Sequence, residues 1–440
     1  MARTNIPPTR TTTHEGATAK SISPELQLRR SVMACLLWED GFYESGTEIT
    51  TRISNLIPLV PPKKVAQIAI SCREEMKLRH VPLFIVKEMA KLSTHKHLVA
   101  RTLYQVIQRP DELTEFLALY WKADRCPLSA QVKRGLAMAF PKFNEYQLAK
   151  YNRDNTIKLR DVLFLCHAKP QTSAQDALWK RVISGDLQTP DTWEVKLSSS
   201  ADKRESWETL LRDRKLGALA LLRNLRNMSQ AQVDRTLIQT ALVEMSVSRV
   251  LPYRFIAAAR YAPIFEPFLE VAMFKAVAEM EKLPGRTVFL IDVSGSMDWV
   301  LNQKSDLNRI DAACGLAILG RELCNDCEVF TFSNYLRQVP ARRGFALRDA
   351  INQSQPHSGT DLGGAVRKLF SDHLTNYDRL IILTDEQSHT PLPDPPSTIK
   401  AYMINVANYQ QGLGYHAWTH IDGWSEASLR FIQEIERLAV

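Results

Sequence analysis

A short apolar segment that ends in an acid is the feature that most constrains the fold of this chain. Residues 287–298 read TVFLIDVSGSMD. The apolar and β-branched residues 287–291 predict a strand that is buried on both faces, as in a parallel sheet. The turn after this strand would bring Asp292, Ser294 and Ser296 to its carboxyl end, which is where open α/β sheets bind ligands.

Oxygen-bearing side chains also follow later segments of the chain. Thr360 lies on a glycine-rich loop that opens a helix, and Asp385 ends the apolar segment 379–385. We expect these two residues to meet Asp292, Ser294 and Ser296 at one edge of the sheet. Carboxylates and hydroxyls are hard donors, which suit a divalent ion such as Mg²⁺, Mn²⁺ or Ca²⁺ better than zinc. The hydroxyls would ligate directly and the acids would balance charge, which leaves one position open for a partner's carboxylate.

Strand and helix signals alternate over the last third of the chain, and this predicts a doubly wound sheet in a domain of residues 285–440. The predicted strands are 287–291, 328–332, 336–339, 379–385, 401–406 and 417–421. The predicted helices are 308–324, 345–352, one from about 360 to 373, and 427–438.

Residues 24–284 show helical periodicity instead, after a polar tail over residues 1–23. Prolines and N-cap residues separate the segments, and helix pairs recur about every 35–45 residues, the period of HEAT-like and armadillo-like solenoids. The region is therefore predicted to be an α-solenoid. Its helices are predicted to be an early one that includes residues 26–37 and ends near residues 39–41, and then 63–76, 81–92, 97–107, 113–123, 130–140, 143–151, 161–167, 174–182, 216–227, 232–247 and 263–281.

Charge divides in the same way as the secondary structure. Residues 1–286 contain 43 Lys and Arg against 30 Asp and Glu, whereas residues 287–440 contain 13 against 18. A basic first part favours a polyanionic partner such as nucleic acid. A basic excess that serves only solubility is the alternative.

Cations and aromatic residues alternate over 131–170. Cations can hold phosphates while aromatic rings stack on unpaired bases, so this segment is the predicted RNA contact. The alternative is a set of solvated helix faces with core aromatics among them. The interleaved rings are Phe140, Phe143, Tyr146 and Tyr151, and the candidate RNA-binding residues are Lys133, Arg134, Lys150, Arg153, Lys158, Arg160 and His167.

Seven irregularly spaced cysteines argue against a secreted disulfide framework and for a reducing, cytoplasmic location. The pair Cys324 and Cys327 has the spacing of half a zinc or redox site but no second pair at a useful distance, so we interpret both as buried or incidental thiols. No apolar run of about 18 residues is present, so we expect no membrane span. The first residues lack the apolar segment of a secretory signal.

The motif Asp-x-Ser-x-Ser at 292–296, with Thr360 and Asp385, resembles the metal-ion-dependent adhesion site of von Willebrand factor A domains. A helical solenoid followed by such a domain resembles the Ro autoantigen family, whose helical part is called the TROVE domain. The segments 146–151, 159–170 and 416–424 carry the resemblance further, towards the compact bacterial members.

This resemblance implies a helical-repeat ring closed by the A domain. It implies that a small Y-like noncoding RNA binds the outer surface, and that single-stranded 3′ ends of misfolded RNAs enter the central hole. The family's RNA-contacting histidine falls on His167, its preceding basic residues on Lys158 and Arg160, and a basic helix more loosely on Lys133 and Arg134. A 3′→5′ exonuclease such as polynucleotide phosphorylase is the implied partner of a monomeric, cytoplasmic protein.

The sequence is also compatible with other functions. In one alternative the chain is a protein-interaction scaffold, and the metal of the A domain binds an acidic partner protein. In another the metal site is vestigial. A metal-dependent hydrolase is disfavoured because no general base or nucleophile stands beside the metal loop. We therefore expect a noncatalytic RNA-binding protein.

Overall fold

The computed structural model describes residues 23–33, 46–122, 125–152, 155–188, 190, 192–248, 250, 252–278, 280–300, 307–373, 376–386, 388, 390–406, 417–422 and 426–438. The described residues form two compact units. The N-terminal unit comprises 23–33 and 46–206, and the C-terminal unit comprises residues from 207 onward.

The N-terminal unit is helical throughout the part that the structure describes. Proline opens three of its helices at a position where the missing N–H leaves no hydrogen bond unmade. Its helices are α1 Pro24–Met33, α2 Gly46–Leu56, α3 Pro62–Glu74, α4 His80–Lys91, α5 Lys96–Val106, α6 Pro110–Tyr120, α7 Ala130–Ala139, α8 Glu145–Tyr151, α9 Leu159–Cys166, α10 Ser173–Ser184 and α11 Trp193–Ser199.

The first nine of these helices stack in two layers, as helical repeats do. In one layer α1, α3, α5, α7 and α9 contact one another in turn, and in the other α2, α4, α6 and α8 do so. Gly135 permits the close packing of α7 on α5, since a Cβ at this position would lie 3.0 Å from the carbonyl oxygen of Ala100. The shared core is aliphatic and aromatic and runs from Leu28 to Val182.

A buried ion pair joins three helices of this unit. Arg73 of α3 donates to Glu112 Oε1 of α6 at 2.7 Å and to the carbonyl oxygen of Val106, the last residue of α5, at 3.1 Å. Glu112 also accepts from the backbone N–H groups of Gln108 and Arg109. Burial raises the pKa of Glu112, and the charge of Arg73 opposes that rise.

The C-terminal unit holds the later helices and the sheet. The division from the N-terminal unit lies within α12, Lys203–Arg212. The other elements are α13 Ala218–Gln230, α14 Arg235–Glu244, α15 Tyr253–Tyr261, α16 Glu266–Ala278, β1 Leu283–Asp292, α17 Arg309–Leu323, β2 Cys324–Phe332, β3 Leu336–Gln338, α18 Gly344–Asn352, α19 Leu362–Asp372, β4 Arg379–Thr384, β5 Lys400–Asn405, β6 Thr419–Asp422 and α20 Glu426–Leu438.

The strands form one sheet in the order β3-β2-β1-β4-β5-β6, and every pairing is parallel except that of β3 with β2. Central strand β1 is buried on both faces. On one face Val288 and Leu290 belong to a core shared with α19, and on the other Phe289 packs so closely on α17 that a Cβ on Gly320 would overlap its ring. The predicted fold class, helical repeats followed by a doubly wound sheet, is confirmed.

Several helices and the start of one strand were not predicted correctly from the sequence. Helices α2, α11, α12 and α15 were not predicted, and β2 begins at Cys324 rather than at residue 328. Helix α15 spans nine residues and buries Tyr253, Phe255 and Ile256 near its start, so its apolar pattern is short. Cys324 and Cys327 are both buried in β2, where burial raises the pKa of each thiol, so neither is an activated nucleophile.

The later helices pack on the sheet region within the C-terminal unit. Arg348 of α18 pairs with Glu266 of α16, whose neighbour Glu270 accepts the backbone N–H of Phe345 at 2.7 Å. The change from helices to strands lies between the end of α16 at Ala278 and the start of β1 at Leu283. The predicted domain limits stay a prediction. Among the described residues no helix has the length and apolar character needed to cross a membrane.

Candidate metal centre and nucleic-acid interface

The candidate metal centre lies where the connections of the sheet diverge. The chain leaves β1 to one side for β2 and later returns to the other side for β4, so the carboxyl ends of β1 and β4 flank a crevice. Such a switch point is the usual ligand site of open α/β sheets. Asp292 ends β1, and Asp385 directly follows β4.

Asp292 is fully buried and is held by two hydrogen bonds. The backbone N–H of Ser294 donates to its Oδ1 at 2.8 Å, and the hydroxyl of Thr384 donates to its Oδ2 at 2.7 Å. Burial and the nearby charge of Asp385 raise the pKa of Asp292 to about 7, although these hydrogen bonds oppose the rise. Two buried carboxyl groups, Asp292 and Asp385, thus lie near each other in the crevice.

Arg309 supplies one positive charge to this crevice. Its Nη1 donates to Asp385 Oδ2 at 2.7 Å and to the carbonyl oxygen of Ser296 at 3.0 Å. Arg309 is buried, at the start of α17. Sequence reasoning missed this residue, because 76 positions separate it from Asp385 and no local motif marks it.

The hydroxyls of the first loop lie together beside these acids. The Oγ atoms of Ser294 and Ser296 are 3.2 Å apart. The loop that carries Thr360 contacts this turn, since the N–H of Gly295 donates to the carbonyl oxygen of Ser358 at 2.9 Å. Thr360 itself is buried, and its carbonyl oxygen accepts from Ser388. The loops that carry all five predicted metal-site residues therefore lie at this crevice.

This donor set fits a hard divalent cation. It offers carboxylate and hydroxyl oxygens and no sulfur or imidazole among the five residues, as Mg²⁺ and Ca²⁺ prefer. Arg309 pairs with Asp385, whereas the buried carboxyl group of Asp292 accepts from a backbone N–H and a hydroxyl, so a cation can neutralise its charge. Ser294, Ser296 and Thr360 would hold the ion, while Asp292 and Asp385 would orient the hydroxyls and balance its charge.

The candidate RNA-binding residues lie mainly on one layer of the N-terminal unit. Helices α5, α7 and α9 are successive neighbours in that layer and bury their opposite sides, so their exposed stripes form one surface. We call Arg101, Arg134, Arg160, Phe164 and His167 the basic helical face. All five are exposed, and Arg160, Phe164 and His167 follow one side of α9 at helical spacing.

Backbone geometry presents His167 at the end of α9. It adopts the left-handed conformation, with φ 53° and ψ 42°, which terminates the helix. Few residues other than glycine occupy this region without cost. The ring of His167 is exposed, while Lys133 on α7 is half-buried.

The remaining candidate cations take several positions. The Nζ of Lys150 is 3.9 Å from a carboxylate oxygen of Glu194, and Lys158 is the N-cap of α9, where its N–H donates to Asp161. Arg153 lies outside the described residues. Lys142 donates to the carbonyl oxygens of Tyr104 and Ile107, at the end of α5. Burial lowers the pKa of Lys142 to about 8. Its ammonium group therefore caps α5.

The aromatic residues divide between core and surface. Phe140 and Phe143 are buried in the core, and Arg109 covers the ring of Tyr151 at 4.5 Å. Tyr146 is exposed. Phe164 was not predicted as a contact, although its side chain is 58% exposed beside His167. The signal that could have revealed it is an aromatic residue on the polar side of an otherwise amphipathic helix.

Comparison with known proteins supports these assignments of fold. The TROVE domain family matches residues 179–263. The telomerase protein component 1 of Rattus norvegicus is 37% identical over 78 residues, which are 16% of this chain and 3% of that protein. The chain therefore spans only a small part of that relative.

A solved structure matches nearly the whole chain. The crystal structure of the Ro (Rsr) protein of Deinococcus radiodurans superposes with a TM-score of 0.65 at 17% sequence identity, over 95% of this chain and 100% of that one. At this identity the match shows the fold. A segment of this chain thus matches the TROVE domain family, and the chain shares the fold of that Ro protein.

Proposed function

We propose that this chain is a noncatalytic RNA-binding protein of the cytoplasm that holds a small Y-like noncoding RNA on the basic helical face. The observation that carries the proposal is the exposed row Arg101, Arg134 and Arg160 on three adjacent helices, with Phe164 and His167 beside it. Guanidinium groups bind phosphates bidentately, and exposed rings stack on unpaired bases.

The proposal extends to the fate of the RNA. In the Ro family, as the resemblance implies, structured RNAs with single-stranded 3′ ends are handled beside a 3′→5′ exonuclease. We propose the same role in RNA quality control for this chain, with an enzyme such as polynucleotide phosphorylase as partner. The basic helical face belongs to the N-terminal unit and the candidate metal centre to the C-terminal unit. This separation supports a chain that binds RNA with one unit and a partner protein with the other.

The test is crosslinking in cells followed by sequencing of the bound RNA. We expect the wild type to recover a few abundant small noncoding RNAs and the Lys133→Ala/Arg134→Ala/His167→Ala variant to lose them. The matched control is Lys91→Ala/Lys122→Ala, which removes two exposed charges on the other layer, at the end of α4 and after α6. Equal recovery by all three proteins would refute the proposal.

A metal-dependent protein-interaction scaffold is the second candidate, and a specific observation favours it. Large exposed side chains flank the candidate metal centre: Trp299, 64% exposed, follows the first loop, and Tyr335, 67% exposed, follows β2. A partner carboxylate could complete the coordination of Mg²⁺ while apolar side chains of that partner cover these rings. Asp292→Asn would then abolish magnesium-dependent capture of the partner and leave RNA binding unchanged.

A further inference from the structure

A cavity of about 320 Å³ lies between α13 and α15 in the C-terminal unit. This volume is within the range of pockets that hold small molecules. Both helices fall inside the segment 179–263 that matches the TROVE family. The cavity is separate from the metal crevice and from the basic helical face, neither of which contributes a lining residue.

Two facing helical stripes build the walls. Leu219, Arg223 and Arg226 follow one side of α13 at intervals of four and three residues, and Arg254 and Tyr261 are seven apart on α15. Residues at such spacing share a helix face. Tyr261 is 37% and Leu219 44% exposed, so the cavity opens to solvent.

The charge of these walls is one-sided. Three arginines line the cavity, and none of the described residues that line it is acidic. Among the described residues, neither Arg223 nor Arg254 has a carboxylate partner. Arg223 and Arg254 line the cavity from two different helices, so an anion inside it can interact with both positive charges. The planar guanidinium forks match the oxygens of a phosphate.

The walls also offer apolar surface beside the cations. Tyr261 and Leu219 contribute a ring and an aliphatic side chain, and Asn227 adds an amide that can both donate and accept. A bare phosphate would use only the arginines. A nucleotide would use the whole lining, because its base can lie on the ring while its phosphate meets the guanidinium groups.

We propose that this cavity binds one nucleotide, with its phosphate between Arg223 and Arg254 and its base against Tyr261. The nucleotide could be free, or it could be one unit of a single-stranded RNA, since both present the same phosphate and base. The site is independent of the basic helical face, so it stands or falls separately from the RNA-binding proposal above.

The experiment is isothermal titration calorimetry of the full chain with three probes: uridine 5′-monophosphate, a uridylate decamer and inorganic phosphate. We expect the monophosphate, the decamer or both to bind wild type more tightly than inorganic phosphate. Arg223→Ala/Arg254→Ala should weaken that binding by on the order of tenfold for each guanidinium removed. Tyr261→Ala should reduce nucleotide binding to the level of phosphate.

Controls separate a local effect from general loss of charge or of fold. Arg214→Ala/Arg235→Ala removes two exposed arginines of the same unit outside the cavity and should leave binding unchanged. Unfolding temperature reports whether the cavity variants remain folded, and Arg223→Lys/Arg254→Lys retains the charge and should bind more weakly than wild type but more tightly than the alanine variant.

The three probes also identify the source of the ligand. Decamer binding without monophosphate binding would assign the site to an RNA strand, and the reverse would assign it to a free nucleotide. Absence of binding to wild type, affinity unaffected by Arg223→Ala/Arg254→Ala, or phosphate binding as tight as that of the nucleotide would each overturn the proposal.

Discussion

Arg309 forms a buried ion pair with Asp385, with 2.7 Å between Nη1 and Oδ2. The pair joins the start of α17 to the end of β4 across the crevice, and the same nitrogen donates to the carbonyl oxygen of Ser296 in the first loop. The guanidinium of Arg309 thus links the loop of Ser296 to Asp385, and both were predicted from the sequence to bind a metal.

Replacing Arg309 should destabilise the C-terminal unit strongly. In Arg309→Met the buried carboxylate of Asp385 loses its cation beside Asp292, and breaking a buried pair in this way costs about 3–5 kcal/mol. The free energy of unfolding, measured by urea denaturation, checks this value. Arg337→Met, at an exposed position on β3, is the control and should change the free energy by less than about 0.5 kcal/mol. Equal stabilities of the two variants would contradict the buried pair.

Magnesium should stabilise the wild type through the candidate metal centre. At a concentration one hundred times the Kd, binding to the folded state alone adds about 2.7 kcal/mol to the free energy of unfolding. Asp292→Asn keeps an oxygen that can accept from Ser294 but removes the charge, so the magnesium-dependent rise in unfolding temperature should disappear. Asp372→Asn, an exposed change on α19, should retain it. A rise that survives in Asp292→Asn would exclude this site.

Acid should weaken the attachment of α20 to the sheet. Glu436 accepts from Arg379 at 2.6 Å and from Lys400 at 2.9 Å. Burial alone would raise the pKa of Glu436, but these two cations outweigh it and lower that pKa. The carboxylate therefore contributes stability above its unfolded pKa, about 4.3, and this contribution is lost as the pH falls through the lower folded value.

Urea denaturation between pH 7 and pH 3 measures this contribution. Glu436→Gln should be less stable than wild type at pH 7, and the difference should shrink as the pH falls, because the wild type becomes protonated. Glu434→Gln on the same helix should follow the wild-type pH dependence closely, since the Glu434 carboxylate is more exposed than that of Glu436 and its pair with Arg437 is long, at 3.7 Å. A constant difference between Glu436→Gln and wild type would show that the carboxylate is not responsible.

RNA affinity should fall steeply with salt, because each phosphate contact releases counterions. Replacing Arg134 and Arg160 by alanine should reduce the slope of log K against log salt concentration by about 2, one unit for each lost contact. Filter binding of a structured small RNA measures this slope. A range of about 50 to 200 mM salt is suitable, because the affinity of such complexes falls strongly over it. An unchanged slope would place the phosphate contacts elsewhere, and Lys91→Ala/Lys122→Ala should leave it unchanged.

The sequence was informative where a pattern is local. Alternating strand and helix signals predicted the doubly wound sheet, and helical periodicity predicted the repeats, because burial of one face imposes a regular spacing on apolar residues. The Asp-x-Ser-x-Ser loop could be read in the same way. Its three residues come directly after a buried strand, and this fixes the edge of the sheet to which they belong.

Only the folded chain shows what lies opposite each element. The cation beside Asp385 comes from Arg309, and the residue that faces Arg223 across the cavity is Arg254 on α15. Likewise, Phe140 lies in the core while Phe164 is exposed, although both are aromatic residues in basic surroundings. Local spacing determines secondary structure and one face of each element, whereas long-range packing decides which charges and rings meet, since such contacts depend on the positions of helices and strands far apart in sequence.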